Sequence, residues 1–396
     1  MRWGAKVRRL LLPLLGLLLL AGCSSVTDLK RDITEQMFGK EVTDPPTELK
    51  EIKTTADAKL LWQASVGAAV DYDFMPAVDG KAIYAASQGG DVTKFDAETG
   101  KPEWRIAAGE KLSGGAGAGE GLVLVGTPKG MVLAFDQAAG KPLWKAKVAS
   151  EILSAPRIYN GVVVVRSGDS RIYGLSAADG KRKWVYERAT PTLSLRSSTG
   201  VVIDDAGVAF AGFAGGKLVA INSADGKIIW EASVALPKGA TEIERIADVT
   251  SLPVVDGRYV YASAYNGRTV GIERNSGRVL WNRDIASYVG MAVDGSIIYI
   301  TQSNGAVYAL DYSNGKSFWR QGGLQWRHTT APIAVGRYAL LGDLEGYVHL
   351  LSRDDGDFAA RINTDSSGVM PQPVALSASA ALFQTRGGGL YAVSIK

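Results

Sequence analysis

Residues 95–104 read Phe95-Asp96-Ala97-Glu98-Thr99-Gly100-Lys101-Pro102-Glu103-Trp104, and this stretch recurs along the chain. Residues 135–144 repeat it closely, and shorter forms, with Gly and then Lys or Arg, precede Trp184, Trp230, Trp281 and Trp319. A seventh copy has Ala360 at the tryptophan position. Successive tryptophan positions are 40, 40, 46, 51, 38 and 41 residues apart. This period is typical of the blades of a β-propeller.

Each copy is predicted to hold short strands joined by tight turns. Residues 82–85 and 92–95, for example, are short runs containing β-branched and aromatic residues, with Gly and Asp around them. The Gly of the Gly-Lys pair can adopt the positive φ that a tight hairpin needs. The Trp after that turn offers a large apolar face, which we expect to lie between neighbouring blades.

The two ends of the repeat predict a closed ring. Trp62 lies in a strand-like stretch with no preceding blade, while residues 390–393 form a strand-like stretch with no following Trp. Each would complete the other, and closure would remove the free sheet edges of an open array. We therefore predict an all-β fold, an eight-bladed β-propeller over residues 57–396, in which an N-terminal strand completes the last blade.

The first 22 residues are typical of a signal peptide. Four basic residues and no acid surround the start of an apolar run, residues 10–20, that is too short to span a membrane. Leu20-Ala21-Gly22-Cys23 resembles the lipobox of bacterial lipoproteins, in which the cysteine is acylated after cleavage, and Cys23 is the single cysteine of the sequence. We therefore predict that Cys23 is lipidated. Because the residues after it are polar and poor in aromatics, we also predict a flexible tether, and the lipidated Cys23 and this tether together span residues 23–56.

The charge balance argues against nucleic acid as a partner. The formal net charge is +4, but four basic residues leave with the signal peptide, so the mature protein is close to neutral. Its acidic and basic residues are interspersed without long like-charge blocks. The electrostatic footprint of a nucleic-acid-binding protein is therefore missing.

No catalytic residue, metal ligand or cofactor is predicted. The two histidines, His328 and His349, are not in a metal-ligand spacing, and the sequence has no nucleophile elbow or phosphate-binding loop in a strand-to-helix setting. His349 lies in a strand-like stretch and is interpreted as structural. His328 lies on a connection beside Trp326 and Arg327, where a recognition role and a structural role both stay open.

Two consecutive connections between blades are longer than the others. From the tryptophan position to the Gly before the next blade's second strand, five connections span 14 to 18 positions, whereas those after Trp184 and Trp230 span 23 and 27. Because all these connections link blades in the same sense, both long ones should extend from one face, side by side. Long loops on a rigid scaffold are where binding residues concentrate.

The content of the two long connections allows two interpretations. Leu193, Leu195 and Arg196 in the first would form a protein-binding patch. The second contributes the charged residues Glu244, Arg245 and Asp248. Alternatively, Leu193 and Leu195 form the innermost strand of their blade and pack in its core. The residue pattern alone does not choose between these interpretations.

The Ala-x-x-Gly-Lys-x-x-Trp repeat resembles that of the quinoprotein dehydrogenases, eight-bladed propellers that hold pyrroloquinoline quinone with calcium. That family often stacks the quinone on a disulfide between adjacent cysteines, which a chain with one acylated cysteine cannot form. Its calcium-binding and catalytic Asp residues are not found at matching places. A pyrroloquinoline-quinone-dependent periplasmic dehydrogenase is the alternative function.

The whole chain resembles the BamB family of lipoproteins, which belong to the outer-membrane β-barrel assembly machinery. Its more specific marks are residues 193–196, 241–245 with 248–249, 342–349 and 365–368. The resemblance implies a non-enzymatic scaffold that is anchored through Cys23 at the periplasmic face of the outer membrane. Ser24 agrees with this location, because an Asp there would resemble an inner-membrane retention signal.

In that family two of these segments contact the periplasmic POTRA domains of BamA within the Bam complex. The resemblance implies that Leu193 and Leu195 are apolar anchors and that Arg196 pairs with a carboxylate of the partner. It further implies that Glu244, Arg245 and Asp248 bind the partner, with the two carboxylates pairing with its cations or supporting Arg196. After Arg196 the chain departs from the family pattern Gly-x-Ser-x-Pro.

Unfolded outer-membrane proteins are a second candidate partner. They would bind by strand addition to an outer blade edge, and no sequence motif marks such a site.

Overall fold

Thirty-two strands make up eight antiparallel sheets of four strands each in the computed structural model, which describes residues 44–395. Seven of these sheets follow chain order from the inner to the outer strand, and the eighth combines both ends of the repeat. The predicted eight-bladed β-propeller is confirmed. Residues 44–395 hold no helix that is long and apolar enough to cross a membrane.

The strands are given blade by blade. The first blade comprises β2 (Ala77–Asp79), β3 (Ala82–Ala86), β4 (Asp91–Asp96) and β5 (Pro102–Ala107), and the second comprises β6 (Gly114–Gly119), β7 (Leu122–Gly126), β8 (Met131–Asp136) and β9 (Pro142–Lys147). The third blade comprises β10 (Arg157–Tyr159), β11 (Val162–Arg166), β12 (Ile172–Ser176) and β13 (Arg182–Tyr186), and the fourth comprises β14 (Val202–Ile203), β15 (Val208–Phe213), β16 (Lys217–Asn222) and β17 (Ile228–Ser233). The last four are β18 (Val254–Asp256), β19 (Tyr259–Ser263), β20 (Thr269–Glu273) and β21 (Val279–Arg283); β22 (Gly290–Asp294), β23 (Ile297–Thr301), β24 (Val307–Asp311) and β25 (Ser317–Gln321); β26 (Ile333–Val335), β27 (Tyr338–Gly342), β28 (Tyr347–Ser352) and β29 (Phe358–Asn363); and β30 (Val374–Ser377), β31 (Ala380–Gln384) and β32 (Gly389–Ile395) with β1 (Ala58–Ser65).

The repeated Trp and Gly join each blade to the next. Trp184 is buried on the outer strand of the third blade, and its indole Nε1 donates a hydrogen bond to the carbonyl of Ser223 in the fourth blade, at 3.0 Å. Gly226, in the turn that follows Ser223, has φ +75°, and a Cβ there would lie 2.6 Å from the Trp184 ring. The glycine thus serves both the turn and the blade interface. The prediction that the Trp lies between blades is confirmed.

The N-terminal strand closes the ring. β1 pairs antiparallel with β32, from Ala58 opposite Ile395 to Ser65 opposite Gly389. Trp62 on β1 then donates its indole N–H to the carbonyl of Ala97 in the first blade, at 3.2 Å. The eighth blade therefore uses the same interface as the others, as the sequence predicted.

Part of the predicted tether lies against the ring, so its expected end at residue 56 needs correction. The backbone N–H of Thr47 donates to the carbonyl of Gln325, and that of Thr55 donates to the carbonyl of Ala359 on β29. Ala56 is buried in the same apolar cluster as Ala360, the alanine at the tryptophan position. We infer that the small side chain of Ala360 leaves space that this segment covers. Cys23 and the predicted signal peptide, residues 1–22, lie outside the described residues.

The antiparallel blades turn the chain at two opposite faces. The connections between blades and the turns between second and third strands lie at one face, which we call the connection face. The two long connections, residues 187–201 and 234–253, therefore lie on that face.

Candidate functional site

The two long connections are in direct contact. The backbone N–H of Leu195 in the first donates to Oδ2 of Asp248 in the second, at 2.7 Å. The expectation that the two loops lie side by side is confirmed. The inner strand of the fourth blade starts at Val202, so the interpretation of Leu193 and Leu195 as that strand is wrong. Leu193 is exposed and Leu195 is half-buried.

The carboxylate of Asp248 fixes the backbone of the first loop. Its side chain is buried, and besides Leu195 it accepts a hydrogen bond from the N–H of Gly215, at 3.0 Å. Arg166 is close enough to feel the negative charge of this carboxylate. Burial lowers the pKa of Arg166 to about 10, while the charge of Asp248 acts to raise it. The guanidinium carbon is 5.1 Å from the centre of the Phe213 ring. The expectation that Asp248 pairs with a cation of the partner is therefore corrected, because its oxygens are engaged within the protein.

Arg196 is fixed by a carboxylate of the preceding connection between blades, that of Glu151. Its Nε and Nη2 donate to the two carboxylate oxygens of Glu151, at 2.8 and 2.7 Å, and these bonds hold the pKa of Glu151 below its usual range. Neither Glu244 nor Asp248 pairs with Arg196, so the expectation that they support it is corrected. A guanidinium has five N–H groups, and the pair with Glu151 uses two of them.

Glu244 caps its own loop. Its carboxylate accepts hydrogen bonds from the N–H groups of Ala240 and Thr241, at 2.7 and 3.1 Å, while its own N–H donates to the hydroxyl of Thr241. This is the reciprocal arrangement of a capping box, and its Thr-x-x-Glu spacing is visible in the sequence. The backbone bonds lower the pKa of Glu244. Arg245 next to it is exposed.

Three apolar side chains of these loops are exposed to solvent. Leu193, Leu236 and Ile243 are 42%, 58% and 73% exposed. Contiguous exposed apolar patches with a polar rim mark protein interaction sites. We call Leu193, Arg196, Leu236, Ile243 and Arg245 together the long-loop surface.

Two positioning residues were missed by sequence reasoning. Glu151 lies in the connection between the second and third blades and Arg166 ends β11 of the third blade, so both are outside the two long connections; they lie next to Arg196 and Asp248, respectively. Arg196 and its partner Glu151 are 45 positions apart in the sequence, and nothing in either local pattern signals the pair.

A cavity of about 620 Å³ adjoins the long-loop surface. Residues just before or at the inner strands of seven blades line it, including Met75, Arg157, Thr250, Thr329 and Met370. Because the inner strands surround the ring axis, the cavity lies on that axis at the connection face. His328, whose role the sequence left open, also lines it.

A buried charge cluster supports the seventh blade. Asp343 accepts hydrogen bonds from Nε of Arg327 at 2.8 Å, from Nε2 of His349 at 3.0 Å, and from two backbone N–H groups of its own turn. Arg327 also donates to the carbonyl of Thr47, at 3.0 Å, and Arg361 donates to Nδ1 of His349. The structural interpretation of His349 is confirmed.

The cluster predicts that acid destabilises the protein. Burial lowers the pKa of His349 although Asp343 opposes this, so the unfolded chain takes up a proton below about pH 6.5 that the folded chain excludes. Stability is then lost as the pH falls from 7 to 5, by up to ~1.4 kcal/mol per pH unit. Burial would raise the pKa of Asp343, but the bonds from His349 and Arg327 lower it, which adds a further loss below about pH 4. Urea unfolding at a series of pH values across this range measures the free energy of unfolding and therefore the loss of stability.

The matched variants are His349→Gln and His328→Gln. Replacing His349 should flatten the decrease between pH 7 and 5, and replacing the exposed His328 should leave it as in the wild type. An unchanged slope in His349→Gln would contradict the assignment of the proton to His349.

The described residues 44–395 contain no group of three or more His, Cys, Asp or Glu side chains that could hold a metal ion.

Comparison with known proteins identifies related chains. The family model described as "Outer membrane protein assembly factor BamB" matches residues 51–114 and 92–321. A relative of that name from Pseudomonas aeruginosa is 46% identical over 355 residues, which cover 89% of this chain and 93% of the relative.

Solved structures share the fold. The crystal structure of BamB from Moraxella catarrhalis matches with a TM-score of 0.78 and 25% identity, over 85% of this chain and 99% of that one. The quinohemoprotein alcohol dehydrogenase from Comamonas testosteroni matches with a TM-score of 0.69 and 13% identity, over 85% of this chain and 76% of that one. A likeness at this low identity shows the fold alone.

Proposed function

Because the chain belongs to the family of the outer membrane protein assembly factor BamB, we propose that it is a non-enzymatic scaffold lipoprotein of the Bam complex. It binds the periplasmic POTRA domains of BamA and assists the insertion of barrel proteins. The observation that carries this proposal is the long-loop surface. Two loops that the sequence marks as overlong meet on one face and present apolar and cationic side chains to solvent.

The long-loop surface combines exposed apolar side chains with arginines. Leu193, Leu236 and Ile243 offer apolar area to be buried, and Arg196 is of a type enriched at binding hot spots. The ion pair with Glu151 orients Arg196 before binding, so less side-chain entropy is lost on association. In this account Asp248 and Glu244 act by shaping the loops, while Arg245 stays available to the partner.

The lipid anchor and the location are part of the same proposal. Cys23 carries the acyl chains after removal of residues 1–22, and the tether comprises residues 23–46, since residue 47 already lies against the ring. Multiple acyl chains hold the protein stably at the periplasmic face of the outer membrane. The chain joins the propeller at Gln325 and Arg327, in a connection between blades, and therefore on the connection face.

The dehydrogenase alternative has little support. Its representative is related by fold at 13% identity, whereas relatives at 35% identity or more bear the name of an assembly factor.

A photocrosslinking experiment tests the proposed partner. Benzoylphenylalanine replaces Ile243, and the purified mature protein is irradiated with the POTRA region of BamA. We expect a crosslinked product, because Ile243 is the most exposed apolar side chain of the long-loop surface. The matched control is Ile229, which is 47% exposed on the outer strand β17. Crosslinking from position 229 with none from position 243 would contradict the proposal.

A further inference from the structure

The axial cavity is rich in cations. Arg157, Arg196 and Arg386 line it, whereas the one carboxylate along its wall is that of Asp73. Asp73 already accepts a hydrogen bond from the hydroxyl of Ser198, at 2.8 Å. The wall therefore carries more positive than negative charge.

Among the residues that the structure describes, no anion pairs with Arg157. It is the first residue of the inner strand β10, it is half-buried, and burial lowers its pKa. Within residues 44–395 its guanidinium makes no ion pair and donates no hydrogen bond to the protein. A charge withdrawn from water is costly unless a counter-charge or hydrogen-bond acceptors replace the water. The position of Arg157 in a cavity open to solvent allows a ligand to supply that counter-charge.

Two hydroxyl groups of the same wall also lack partners. Ser251 and Thr329 are 3% and 2% exposed, and in the described part of the chain neither Oγ of Ser251 nor Oγ1 of Thr329 has a hydrogen-bond partner. Both residues line the cavity. Nearly all buried polar groups in proteins are hydrogen-bonded. Because these two oxygens expose almost no surface, a ligand in the cavity does not reach them directly, and its assignment rests on Arg157.

The rest of the wall is apolar. Leu252, Tyr288, Val289 and Met370 line the cavity together with the polar groups above. A volume of about 620 Å³ lies within the range of small-ligand sites. Apolar walls with a few placed donors fit a ligand that has an apolar body and an anionic end.

We propose that the axial cavity binds a carboxylate attached to an apolar group. Arg157 pairs with the carboxylate, and the apolar wall holds the body of the ligand. The carboxylate can come from a small organic acid or from the C-terminus of a polypeptide. The cavity shares Arg196 with the long-loop surface, but its ligand is assigned through Arg157, so this proposal does not depend on the binding of POTRA domains.

Calorimetric titration of the mature protein tests this site with four probes. They are N-acetyl-leucine and the peptide acetyl-Gly-Gly-Gly-Leu, each as the free acid and as the C-terminal amide. We expect the free acids to bind at least tenfold more tightly than the amides. Tighter binding of the peptide acid than of N-acetyl-leucine identifies a chain end as the source, and equal binding identifies a small acid. Absence of binding, or equal affinity for acid and amide, would overturn the proposal.

A variant pair tests the role of Arg157. Arg157→Met keeps most of the side-chain volume and should weaken binding of the free acids at least tenfold, whereas Arg182→Met, at an exposed position on β13, should not change it. If Arg157→Met binds the acids as the wild type does, the assignment is wrong. If that variant does not fold, the comparison of acid with amide on the wild-type protein still decides the proposal.

Discussion

Replacing Asp343 with Ala is expected to lower the free energy of unfolding by about 3–5 kcal/mol. The carboxylate is fully buried and accepts four hydrogen bonds, two of them from the side chains of Arg327 and His349. Its loss leaves the buried guanidinium of Arg327 without its main counter-charge, because the other partner, Glu345, is mostly exposed. Arg327 also binds the backbone of Thr47, so the N-terminal segment should loosen as well.

Urea unfolding of the mature protein measures this loss. The matched control is Asp354→Ala, which removes a carboxylate that pairs with Arg337 where both side chains are largely exposed. Exposed ion pairs contribute little to stability, so the control should unfold close to the wild type. A midpoint for Asp343→Ala that equals the midpoint of the control would show that the buried cluster does not hold the seventh blade.

The fold could be predicted from the sequence because its determinants are local and repeated. The turn of each repeat needs a positive φ, which selects Gly, and the Trp follows that Gly at regular spacing. The number of blades is therefore found by counting these repeats. Closure was also predictable, since Trp62 is an outer-strand Trp without a blade of its own.

The end of the tether was not predictable in the same way. Residues 47–56 are polar and without period, yet their backbone groups bond to the seventh blade. The cause lies 280 residues after Thr47, in Arg327, and further along the chain in the small Ala360. A local composition rule cannot detect a partner at that distance.

The sequence predicted that the two long connections lie side by side, but not which partners their charged residues have. Loop length correctly marked the two connections, because insertions on a propeller can extend only from its faces. The residue types Glu244 and Asp248 suggested contact with a partner, but one carboxylate caps its own turn and the other is buried beneath Leu195. Charge in a sequence does not show whether its counterpart is in the same chain.

The double substitution of Leu193 and Arg196 by Ala is expected to weaken binding of the BamA POTRA region at least about 100-fold. Each truncation at a binding hot spot costs about 2 kcal/mol or more, which is roughly 30-fold in affinity. Leu193 loses its exposed apolar contact, and the loss of Arg196 removes a guanidinium that Glu151 has already oriented. Both positions are on the protein surface, so the variant should remain folded, which its urea midpoint checks.

Binding of the POTRA region to the long-loop surface is tested by titrating the POTRA region against three mature proteins. They are the wild type, the variant Leu193→Ala with Arg196→Ala, and a control with Leu143→Ala and Arg182→Ala on outer strands of the second and third blades. If the long-loop surface binds the POTRA region, the wild type and the control bind with the same Kd, and the long-loop variant binds at least about 100-fold more weakly. Equal affinity of all three folded proteins would contradict the assignment of the long-loop surface to BamA.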